Sequence, residues 1–435
     1  MKKIHFLGIG GSGASGAAAI AQAQGFEVSG CDLEPDNEFT LHIGCVKFKG
    51  HSPEHLSGHY GSESSNKVDL LIVTPAIFSL DANNPELLAA KKLNIPVLTW
   101  QEFMGEYLHK DKFLIAVCGT HGKSTVTAMS AKLLGDANLD PTVELGAIVP
   151  SWGKNFRVGK SKFFITEADE YNDNFQFYKP DITIITNIEM DHPEYFKDIE
   201  DVKKSFRNFL AQTKKIIIAN LEDPNVADII KDVMKDSPVT VIDYSKHILN
   251  LNLKVPGDFN KLNASAVFQL GLSLSLDPQT ISQSLSSYAG LGRRFEFIGE
   301  FRGAQIYSDF GHHPTEIRKT MEAAREKFKE KRIVLLYEPH MFTRTKALFD
   351  DFVKVFQDLP IDQTFIIDIY PSREKDIGLT SSKELVDAIG KATVSYLGPK
   401  DEVEGFLKVA IRGGDVVFFM GAGDVDKIGR RVIED

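Results

Sequence analysis

The sequence predicts an α/β fold with mostly parallel sheets, divided into roughly two to four domains. Three observations support this prediction. Short apolar runs typical of buried strands alternate with helical segments along the whole chain. Two glycine-rich turns each lie between such a strand and a helix. The length of 435 residues is sufficient for several hydrophobic cores.

The first predicted unit opens with a βαβ motif. A strand over 4–8 leads into Gly8-Ile9-Gly10-Gly11-Ser12-Gly13, a helix over 14–23 and a second strand over 27–31 that ends at Asp32. A G-x-G-x-x-G turn with an acidic residue about twenty positions later is typical of a dinucleotide site, so the residues alone indicate dinucleotide binding. The other elements predicted here are strands over 68–74 and 96–99, helices over 85–93 and 100–108, and a loop over 57–67.

The second predicted unit carries the clearest chemical motif of the chain. An apolar strand over 113–117 leads into Cys118-Gly119-Thr120-His121-Gly122-Lys123-Ser124-Thr125, and a helix is predicted over 126–134. In such a turn, backbone N–H groups and the helix N-terminus face an anion, the lysine adds a positive charge and the hydroxyl can bind Mg²⁺. A strict Walker A loop would need glycine where Val117 stands. The alternative, a glycine turn with a surface lysine, is less consistent with this strand-to-helix context.

Polar residues follow two further strands of this unit. Glu167-Ala168-Asp169-Glu170 comes after a strand over 163–166, and Asn187-Ile188-Glu189-Met190-Asp191-His192 comes after a strand over 182–186. A carboxylate at the end of a parallel strand beside a phosphate loop is well placed for Mg²⁺. The alternatives are a solvated acidic turn and, for His192, a hydrogen-bonding loop residue. The unit continues with a predicted strand over 215–219 and helices over 201–212, 224–234 and 260–274.

A third unit is predicted to begin near Arg293, in Gly292-Arg293-Arg294-Phe295. An arginine brought to a phosphate stabilises transferring charge, whereas adjacent arginines are usually solvated. Asn260 and Asn263 share one helix face, where one could cap the helix or the pair could bind a base or ribose. Asp309 ends a strand and precedes Gly311-His312-His313-Pro314. The elements predicted in this unit are strands over 304–309, 333–337, 363–368 and 416–420 and helices over 314–329, 346–356 and 383–389.

Taken in order, these motifs resemble those of the Mur ligase family of cell-wall synthesis. They are G-T-H-G-K-S, E-A-D-E, N-x-E-x-D-H, N-x-x-N, G-R-R-F, D-F-G-H-H-P-T-E and P-H-M-F-T-R, and the similarity spans nearly the whole chain. The resemblance implies three domains within the α/β class. These are a Rossmann-like UDP-sugar-binding domain over 1–109, a central P-loop ATPase-like domain over 110–292, and a Rossmann-like C-terminal domain over 293–435 for amino-acid binding and closure.

The resemblance also implies roles for individual residues. In the first domain it implies that the ligand is the UDP of a UDP-sugar and not a dinucleotide such as NAD. UDP-sugar binding is implied for Gly8, Gly10, Gly11, Ser12, Gly13, Asp32, His51, Thr74, Pro75 and Ala76. ATP binding is implied for Gly119, Thr120, His121, Gly122, Lys123, Ser124, Thr125, Asn260, Asn263, Arg294 and Asp309. Catalytic roles are implied for Lys123, Glu167, His192 and Arg294, Mg²⁺ binding for Ser124, Glu167 and His192, and amino-acid binding for His313, His340 and Arg344.

The activity implied by the resemblance is ATP-dependent joining of L-alanine to the lactyl carboxylate of UDP-N-acetylmuramate through an acyl phosphate, with Mg²⁺. The alternative within the family is attachment of a recycled L-Ala-γ-D-Glu-meso-diaminopimelate tripeptide to the same sugar. The pair Glu170-Tyr171 resembles the relative that carries out this reaction. The motifs G-H-H-P-T-E and R-E-K favour the alanine reaction. Met341 stands where the family usually has Arg in P-H-R-[FY]-T-R, so the preference among L-Ala, L-Ser and Gly stays open.

Composition bounds the class of protein. The net charge of −10 argues against a nucleic-acid surface, and the expected partners are small molecules, namely UDP-N-acetylmuramate, ATP and an amino acid. Three cysteines without metal spacing indicate free thiols in a reducing compartment. No apolar run reaches the length of a membrane span. We therefore expect a cytoplasmic monomer or homodimer without membrane contact.

Overall fold

The computed structural model of the protein describes residues 2–57, 67–236 and 238–434. Most of the loop predicted over 57–67 lies outside these residues. The chain forms two compact units, each built from several segments. The first comprises Met1–Ile188, Val202–His247 and Ala264–Leu285, and the second comprises Glu189–Asp201, Ile248–Asn263 and Ser286–Asp435.

Strands and helices alternate through both units, as the sequence predicts for an α/β fold. The strands are β1 Lys3–Leu7, β2 Glu27–Asp32, β3 Val46–Lys49, β4 Leu70–Val73, β5 Val97–Thr99, β6 Phe113–Cys118, β7 Thr142–Val149, β8 Lys154–Arg157, β9 Phe163–Glu167, β10 Ile182–Ile185, β11 Ile216–Ala219, β12 Thr240–Asp243, β13 Glu296–Phe301, β14 Ala304–Asp309, β15 Ile333–Tyr337, β16 Gln363–Ile367, β17 Val394–Gly398 and β18 Val416–Met420.

The α-helices are α1 Ser12–Ala23, α2 Ile77–Leu80, α3 Pro85–Leu93, α4 Trp100–Phe103, α5 Lys123–Asp136, α6 Ile199–Leu210, α7 Pro224–Asp236, α8 Asp258–Ser273, α9 Pro278–Ser286, α10 Pro314–Lys327, α11 Phe342–Ala347, α12 Phe349–Asp358, α13 Ser382–Ile389, α14 Val403–Ala410 and α15 Val425–Ile433. Short 3-10 helices lie at Pro53–Leu56, Tyr171–Phe177, Ser245–His247 and Lys400–Glu402, and a π-helical turn lies at Met104–Leu108. Among the described residues, none of the helices combines the length and apolar character that a membrane crossing needs.

The first unit contains two sheets, and each glycine-rich turn leaves the strand at which the strand order reverses. The five-stranded sheet has the order β3-β2-β1-β4-β5, with every neighbouring pair parallel. The seven-stranded sheet has the order β12-β11-β10-β6-β9-β7-β8, in which β8 pairs antiparallel with β7. Because β1 and β6 lie at these reversal points, a crevice opens beyond their carboxyl ends, where α/β proteins bind ligands.

The second unit contains a six-stranded sheet of order β13-β14-β18-β15-β16-β17, with β13 antiparallel to β14. Its central strands are buried on both faces, as in other parallel sheets. Leu335 and Phe418 pack on one face, while their neighbours Leu336 and Phe419 pack on the other. The alternation follows from the two-residue period of a strand.

Several predicted boundaries are wrong, and each error has a local cause. The helix predicted over 346–356 is two helices, α11 and α12, separated at Leu348. Helix α8 begins at Asp258, so Asn260 lies in its first turn and does not cap it. The sequence analysis missed β3, β7, β8, β12, β13 and β17, which lie at or next to the edges of their sheets. Edge strands carry polar residues and lack the continuous apolar pattern that identifies a buried strand.

Candidate active site

The phosphate loop between β6 and α5 has the geometry predicted from its glycines. Gly119 and Gly122 have φ values of 128° and 87°, a region that favours glycine. A Cβ atom on Gly119 would collide with the Thr186 hydroxyl. The loop is held from the next strand, because His121 N donates to Asn187 Oδ1 at 2.9 Å and Thr186 Oγ1 donates to His121 O at 2.7 Å. The turn is thus rigid before any ligand is bound.

Lys123 lies at the first position of α5 and points back across the loop. Its Nζ donates to Gly119 O and to Glu170 Oε2, each at 2.8 Å, and lies 4.0 Å from Asp169 Oδ1. The lysine side chain is 16% exposed and that of Glu170 is 2% exposed. Burial alone would lower the pKa of Lys123, but the carboxylates of Glu170 and Asp169 raise it above its usual range. Lys123 therefore stays protonated at neutral pH, with its charge paired to Glu170.

Ser124 and Glu167 meet beside this charge, as the sequence predicts. Ser124 Oγ donates to Glu167 Oε1 at 2.8 Å, and Gly146 N donates to Glu167 Oε2. Ser124 lies in the first turn of α5 and Glu167 ends β9. A hydroxyl and a carboxylate are oxygen donors of the kind that Mg²⁺ prefers. These two residues fit a magnesium site.

Glu144 is a buried acid that the sequence analysis missed. It lies on β7, is 2% exposed, and accepts a hydrogen bond from Thr166 Oγ1 at 2.9 Å. Burial, reinforced by the nearby Glu167 carboxylate, raises the pKa of Glu144 to about 8. The residue belongs to an unpredicted strand, so the sequence did not indicate its proximity to Glu167.

The first glycine turn is ordered by Asp32, which does not present a free carboxylate. Asp32 Oδ2 accepts a hydrogen bond from Gly10 N at 2.9 Å, and its Oδ1 accepts one from Glu34 N at 3.1 Å. Gly8, with φ 88°, packs so closely to Thr74 that a Cβ would lie 2.6 Å from Thr74 Cγ2. These contacts bring Gly8, Gly10, Asp32 and Thr74 together, so the predicted UDP-sugar residues at the ends of β1, β2 and β4 form one cluster.

Other residues of the first predicted site have different surroundings. His51 Nδ1 lies 3.2 Å from Cys31 Sγ on β2. Ser12 O accepts a hydrogen bond from Asn155 Nδ2 at 2.5 Å, which ties α1 to β8 of the seven-stranded sheet. Pro75 and Ala76 follow Thr74 and lead into α2. The two glycine turns therefore belong to one packed unit.

In the second unit, two residues predicted to bind the nucleotide lie beside the first two strands of the sheet. Asp309 is the last residue of β14, and Arg294 shortly precedes β13. Both oxygens of Asp309 accept backbone hydrogen bonds, from Phe295 N and Gly311 N, each at 2.8 Å. Burial raises the pKa of the Asp309 carboxyl group. Arg294 lies over the Phe310 ring, 4.9 Å from its centroid, and its Nη1 is 3.8 Å from Glu316 Oε1. Asp309 thus orders the turn that carries the two arginines.

Arg293 and Arg294 have different environments. Arg293 Nη2 donates to Gly421 O at 2.5 Å and to Gly423 O at 2.9 Å. Those bonds fix Arg293 to the loop after β18. The Arg294 guanidinium instead packs over the Phe310 ring and lies 3.8 Å from Glu316 Oε1.

The two asparagines of α8 interact with each other. Asn260 Nδ2 donates to Pro256 O at 2.7 Å, and Asn263 Nδ2 lies 3.4 Å from Asn260 Oδ1. Both residues are buried. The shared helix face predicted from their spacing is confirmed, whereas their predicted contact with ATP stays a prediction.

Arg344 is buried against Asp191, a partner that the sequence did not indicate. Arg344 Nε donates to Asp191 Oδ1 at 2.8 Å, and Arg344 Nη1 lies 3.0 Å from His340 Nδ1. Burial would raise the pKa of Asp191, but His192 and Arg344 hold it well below its usual range. Burial and the neighbouring His312 lower the pKa of His340 to about 2, so its ring is neutral.

The remaining predicted residues of the second unit have local partners. His313 caps α10 by accepting from Thr315 N at 3.2 Å, and its Nε2 lies 3.2 Å from Met190 O. His192 Nδ1 lies 3.2 Å from Glu194 Oε1, and Glu194 also pairs with Arg373. The predicted Mg²⁺ role of His192 stays a prediction.

The chain is similar to known proteins along nearly its whole length. Models of the Mur ligase family match three successive parts of the chain: the family's catalytic domain over 3–112, its middle domain over 117–250 and its glutamate ligase domain over 293–423. Among curated relatives, the UDP-N-acetylmuramate–L-alanine ligase of Clostridium tetani is 36% identical over 99% of this chain and 97% of its own length. That of Clostridium kluyveri is 37% identical over 98% and 97%.

Two solved structures share the fold of this chain. The UDP-N-acetylmuramate–alanine ligase of Thermotoga maritima is 27% identical, covers 100% of this chain and 99% of its own, and superposes with a TM-score of 0.79. A murein peptide ligase from Psychrobacter arcticus, 21% identical with a TM-score of 0.71 over 100% of this chain and 98% of its own, shares the fold.

Gly119→Ala tests the rigid phosphate loop. We expect the strained φ and the collision with Thr186 to destabilise the loop by about 1–3 kcal/mol and to weaken binding of an ATP analogue. The matched control is Gly135→Ala in α5, where an added Cβ meets nothing within 4 Å. Thermal melting and calorimetric titration measure the two effects. Wild-type affinity in Gly119→Ala would show that the loop tolerates a side chain.

Glu144→Gln tests the buried acid. A carboxyl group whose pKa rises from 4.5 to about 8 on folding costs stability progressively as the pH rises between those values. We expect wild type to lose about 2–4 kcal/mol across this range from Glu144, and Glu144→Gln to lose correspondingly less. Denaturant unfolding at pH 5 and pH 8.5 measures the difference. Parallel pH profiles for the two proteins would contradict the assignment.

Proposed function

Because the chain belongs to the Mur ligase family, we propose that it joins L-alanine to the lactyl carboxylate of UDP-N-acetylmuramate in an ATP-dependent reaction of peptidoglycan precursor synthesis. The observation that carries this proposal is the arrangement of Lys123, Ser124 and Glu167 at the switch point of the seven-stranded sheet. The named relatives, 36% and 37% identical over nearly the whole chain, support L-alanine as the amino acid and do not favour the tripeptide.

The reaction proceeds by two displacements. A carboxylate oxygen of the sugar attacks the γ-phosphorus of ATP, ADP leaves, and an acyl phosphate forms. The alanine amine then attacks the acyl carbon, and inorganic phosphate leaves from the tetrahedral intermediate. The first step brings two anions together, so catalysis depends chiefly on positioning and charge stabilisation.

The chain's own residues supply that stabilisation. Backbone N–H groups of the loop from Gly119 to Ser124 bind the phosphates at the start of α5. The Lys123 ammonium offsets the charge on the transferring group, and phosphate oxygens take over contacts that Glu170 and Gly119 O make here. Ser124 and Glu167 would hold Mg²⁺, which neutralises phosphate charge when bound.

The first glycine turn would bind the UDP-sugar. Gly8, Gly10, Gly11 and Gly13 allow the backbone to approach a diphosphate at the start of α1, by the same helix-terminus physics as in the phosphate loop. Asp32 acts by holding Gly10. Helix α1 packs onto β7 and β8, so the two glycine-rich turns belong to the same compact unit. This packing supports a common function for the two turns.

Residues of the second unit complete the assignment. Arg294 would contact the γ-phosphate, Asp309 the ribose, and Asn260 and Asn263 the nucleotide. His340 and Arg344 would receive the amino acid, with His313 nearby, and His192 would serve a magnesium ion. We place the reaction in the cytoplasm, where ATP is available, with a monomer or homodimer as the active form.

Phosphate release from ATP tests the proposal. Full-length protein with UDP-N-acetylmuramate, Mg²⁺ and L-alanine should release phosphate, and the product should gain the mass of one alanine residue. L-serine, glycine and the L-Ala-γ-D-Glu-meso-diaminopimelate tripeptide are the competing substrates. Faster turnover with the tripeptide than with L-alanine would replace the proposed reaction, and no turnover with any amine would remove it.

Lys123→Ala tests the central charge. We expect its kcat to fall about 10²–10³-fold, which is the usual effect of losing one preorganised donor to the transition state. Lys132→Ala is the matched control, because Lys132 lies on the same helix and pairs with Asp136 at 2.6 Å on the surface. The control should retain wild-type kcat. Equal activity of both variants would exclude Lys123 from catalysis.

A further inference from the structure

A second cluster of reactive side chains lies in the five-stranded sheet. His5 on β1, Cys31 on β2, His55 in the 3-10 helix Pro53–Leu56 and Glu86 in the first turn of α3 converge there. His5, Cys31 and Glu86 are 0% exposed and His55 is 9% exposed. The proposed ligation reaction uses none of these four residues.

The spacing of their donor atoms suits a metal ion. One donor atom from each side chain lies within 4.8 Å of the others. Glu86 Oε1 is 2.8 Å from His55 Nδ1 and 3.1 Å from Cys31 Sγ, and Glu86 Oε2 is 3.3 Å from His5 Nε2. Ligands on a tetrahedral Zn²⁺ at about 2.0–2.3 Å are separated by roughly 3.3–3.8 Å. Small rotations of these side chains would produce such a set.

Two buried atoms of this cluster, His5 Nε2 and Glu86 Oε2, lie 3.3 Å apart and have no other hydrogen-bond partner among the described residues. Glu86 Oε1, in contrast, receives hydrogen bonds from Ser52 N at 2.9 Å and from Cys31 Sγ. A metal ion bound between these two atoms would replace their single mutual contact with a coordination bond to each of them.

Neighbouring groups hold the donors in place, as outer partners do in metal sites. Ser29 Oγ lies 2.9 Å from His5 Nδ1, which leaves Nε2 directed at Glu86. The ring of Phe48 stacks on His55 with centroids 4.4 Å apart and an interplanar angle of 11°. Both imidazole rings are therefore oriented before a metal binds.

We propose that His5, Cys31, His55 and Glu86 form a binding site for one transition-metal ion, with Zn²⁺ as the expected occupant. Two imidazole nitrogens, a thiolate and one carboxylate oxygen are the donor set of a borderline-soft divalent ion, whereas Mg²⁺ and Ca²⁺ prefer oxygen alone. On binding, the metal displaces the proton of the Cys31 thiol into solvent, and a sulfur–metal bond replaces the S–H bond. The site would fasten β1, β2, the 3-10 helix and α3 to one another.

Metal binding by the full-length protein tests this proposal. The protein is treated with chelator, titrated with Zn²⁺ or Co²⁺ alone, and analysed by elemental analysis and absorption spectroscopy. We expect one ion per chain, a thiolate-to-cobalt charge-transfer band, and a rise of about 5–10 °C in the first unfolding transition at a hundredfold excess of Zn²⁺ over its dissociation constant.

Cys31→Ser is the decisive variant, because a serine hydroxyl can still donate to Glu86 while the thiolate is lost. We expect its affinity for Co²⁺ to fall at least about a hundredfold, with loss of the charge-transfer band. Cys45→Ser is the matched control, since Cys45 is a half-buried thiol outside the cluster, and it should bind as wild type does. If Cys31→Ser does not fold, Cys45→Ser still tests the site. A charge-transfer band in Cys45→Ser equal to that of the wild-type protein supports the proposal.

Three results would overturn the proposal: no bound metal in wild type, unchanged cobalt binding in Cys31→Ser, or a charge-transfer band that disappears in Cys45→Ser. None of these outcomes bears on the ligase reaction. Phosphate release from ATP in the same preparations is measured separately, so failure of the metal site is distinguishable from failure of the proposed function.

Discussion

The partly buried Lys123 ammonium is the charge on which the active edge of the seven-stranded sheet depends. Removing an ammonium group from water costs several kcal/mol unless other groups compensate it. Here Glu170 and the Gly119 carbonyl supply that compensation, each at 2.8 Å. The positive φ of Gly119 belongs to the turn that presents this carbonyl, and Thr186 occupies the space that a side chain would need. A phosphate chain offers the same kind of oxygen partners, so ligand binding would exchange one set of oxygen contacts to the ammonium for another.

The acidic residues around Lys123 carry less negative charge than their number suggests. Glu144 lies beside Glu167, and its raised pKa of about 8 keeps most of it protonated at neutral pH. Two fully ionised carboxylates in this position would repel each other and an incoming triphosphate. Glu167 can therefore face a cation while Glu144 acts as a neutral hydrogen-bonding group. This division of roles depends on burial, which differs between the two residues.

Much of this arrangement could be predicted from local sequence, because it follows from strands that end in glycine-rich turns. The strands predicted over 304–309, 333–337 and 416–420 coincide with β14, β15 and β18. The last two are continuous apolar runs, and the first ends at Asp309, whose polar side chain marks the end of the strand. The Ser124–Glu167 contact was also predictable, because parallel neighbouring strands bring their carboxyl ends together. The order of the motifs identified the family, as the matching family models confirm.

Contacts between distant segments could not be predicted in this way. Asp32 has the spacing of a ribose-binding acid, yet its carboxylate holds the Gly10 and Glu34 amides. Glu170 appeared only as part of an acidic turn, although it is the partner of Lys123. The cluster of His5, Cys31, His55 and Glu86 draws on four separate elements. Spacing within one element carries no information on such partners, which depend on the register and packing of the sheets.

The motif P-H-M-F-T-R illustrates how packing reinterprets a departure from a family pattern. Met341 is 1% exposed, and its sulfur lies 3.8 Å from Arg344 Nη1. His340 and His312 are neutral imidazoles, because burial is the main cause that lowers their pKa values to about 2 and about 4. Arg344 is thus the positive charge balanced by Asp191 at this point. A second guanidinium at position 341 would be buried beside the first, whereas methionine fills the space without charge. If the proposed amino-acid site lies here, its carboxylate selectivity rests on Arg344, which the Asp191 contact orients.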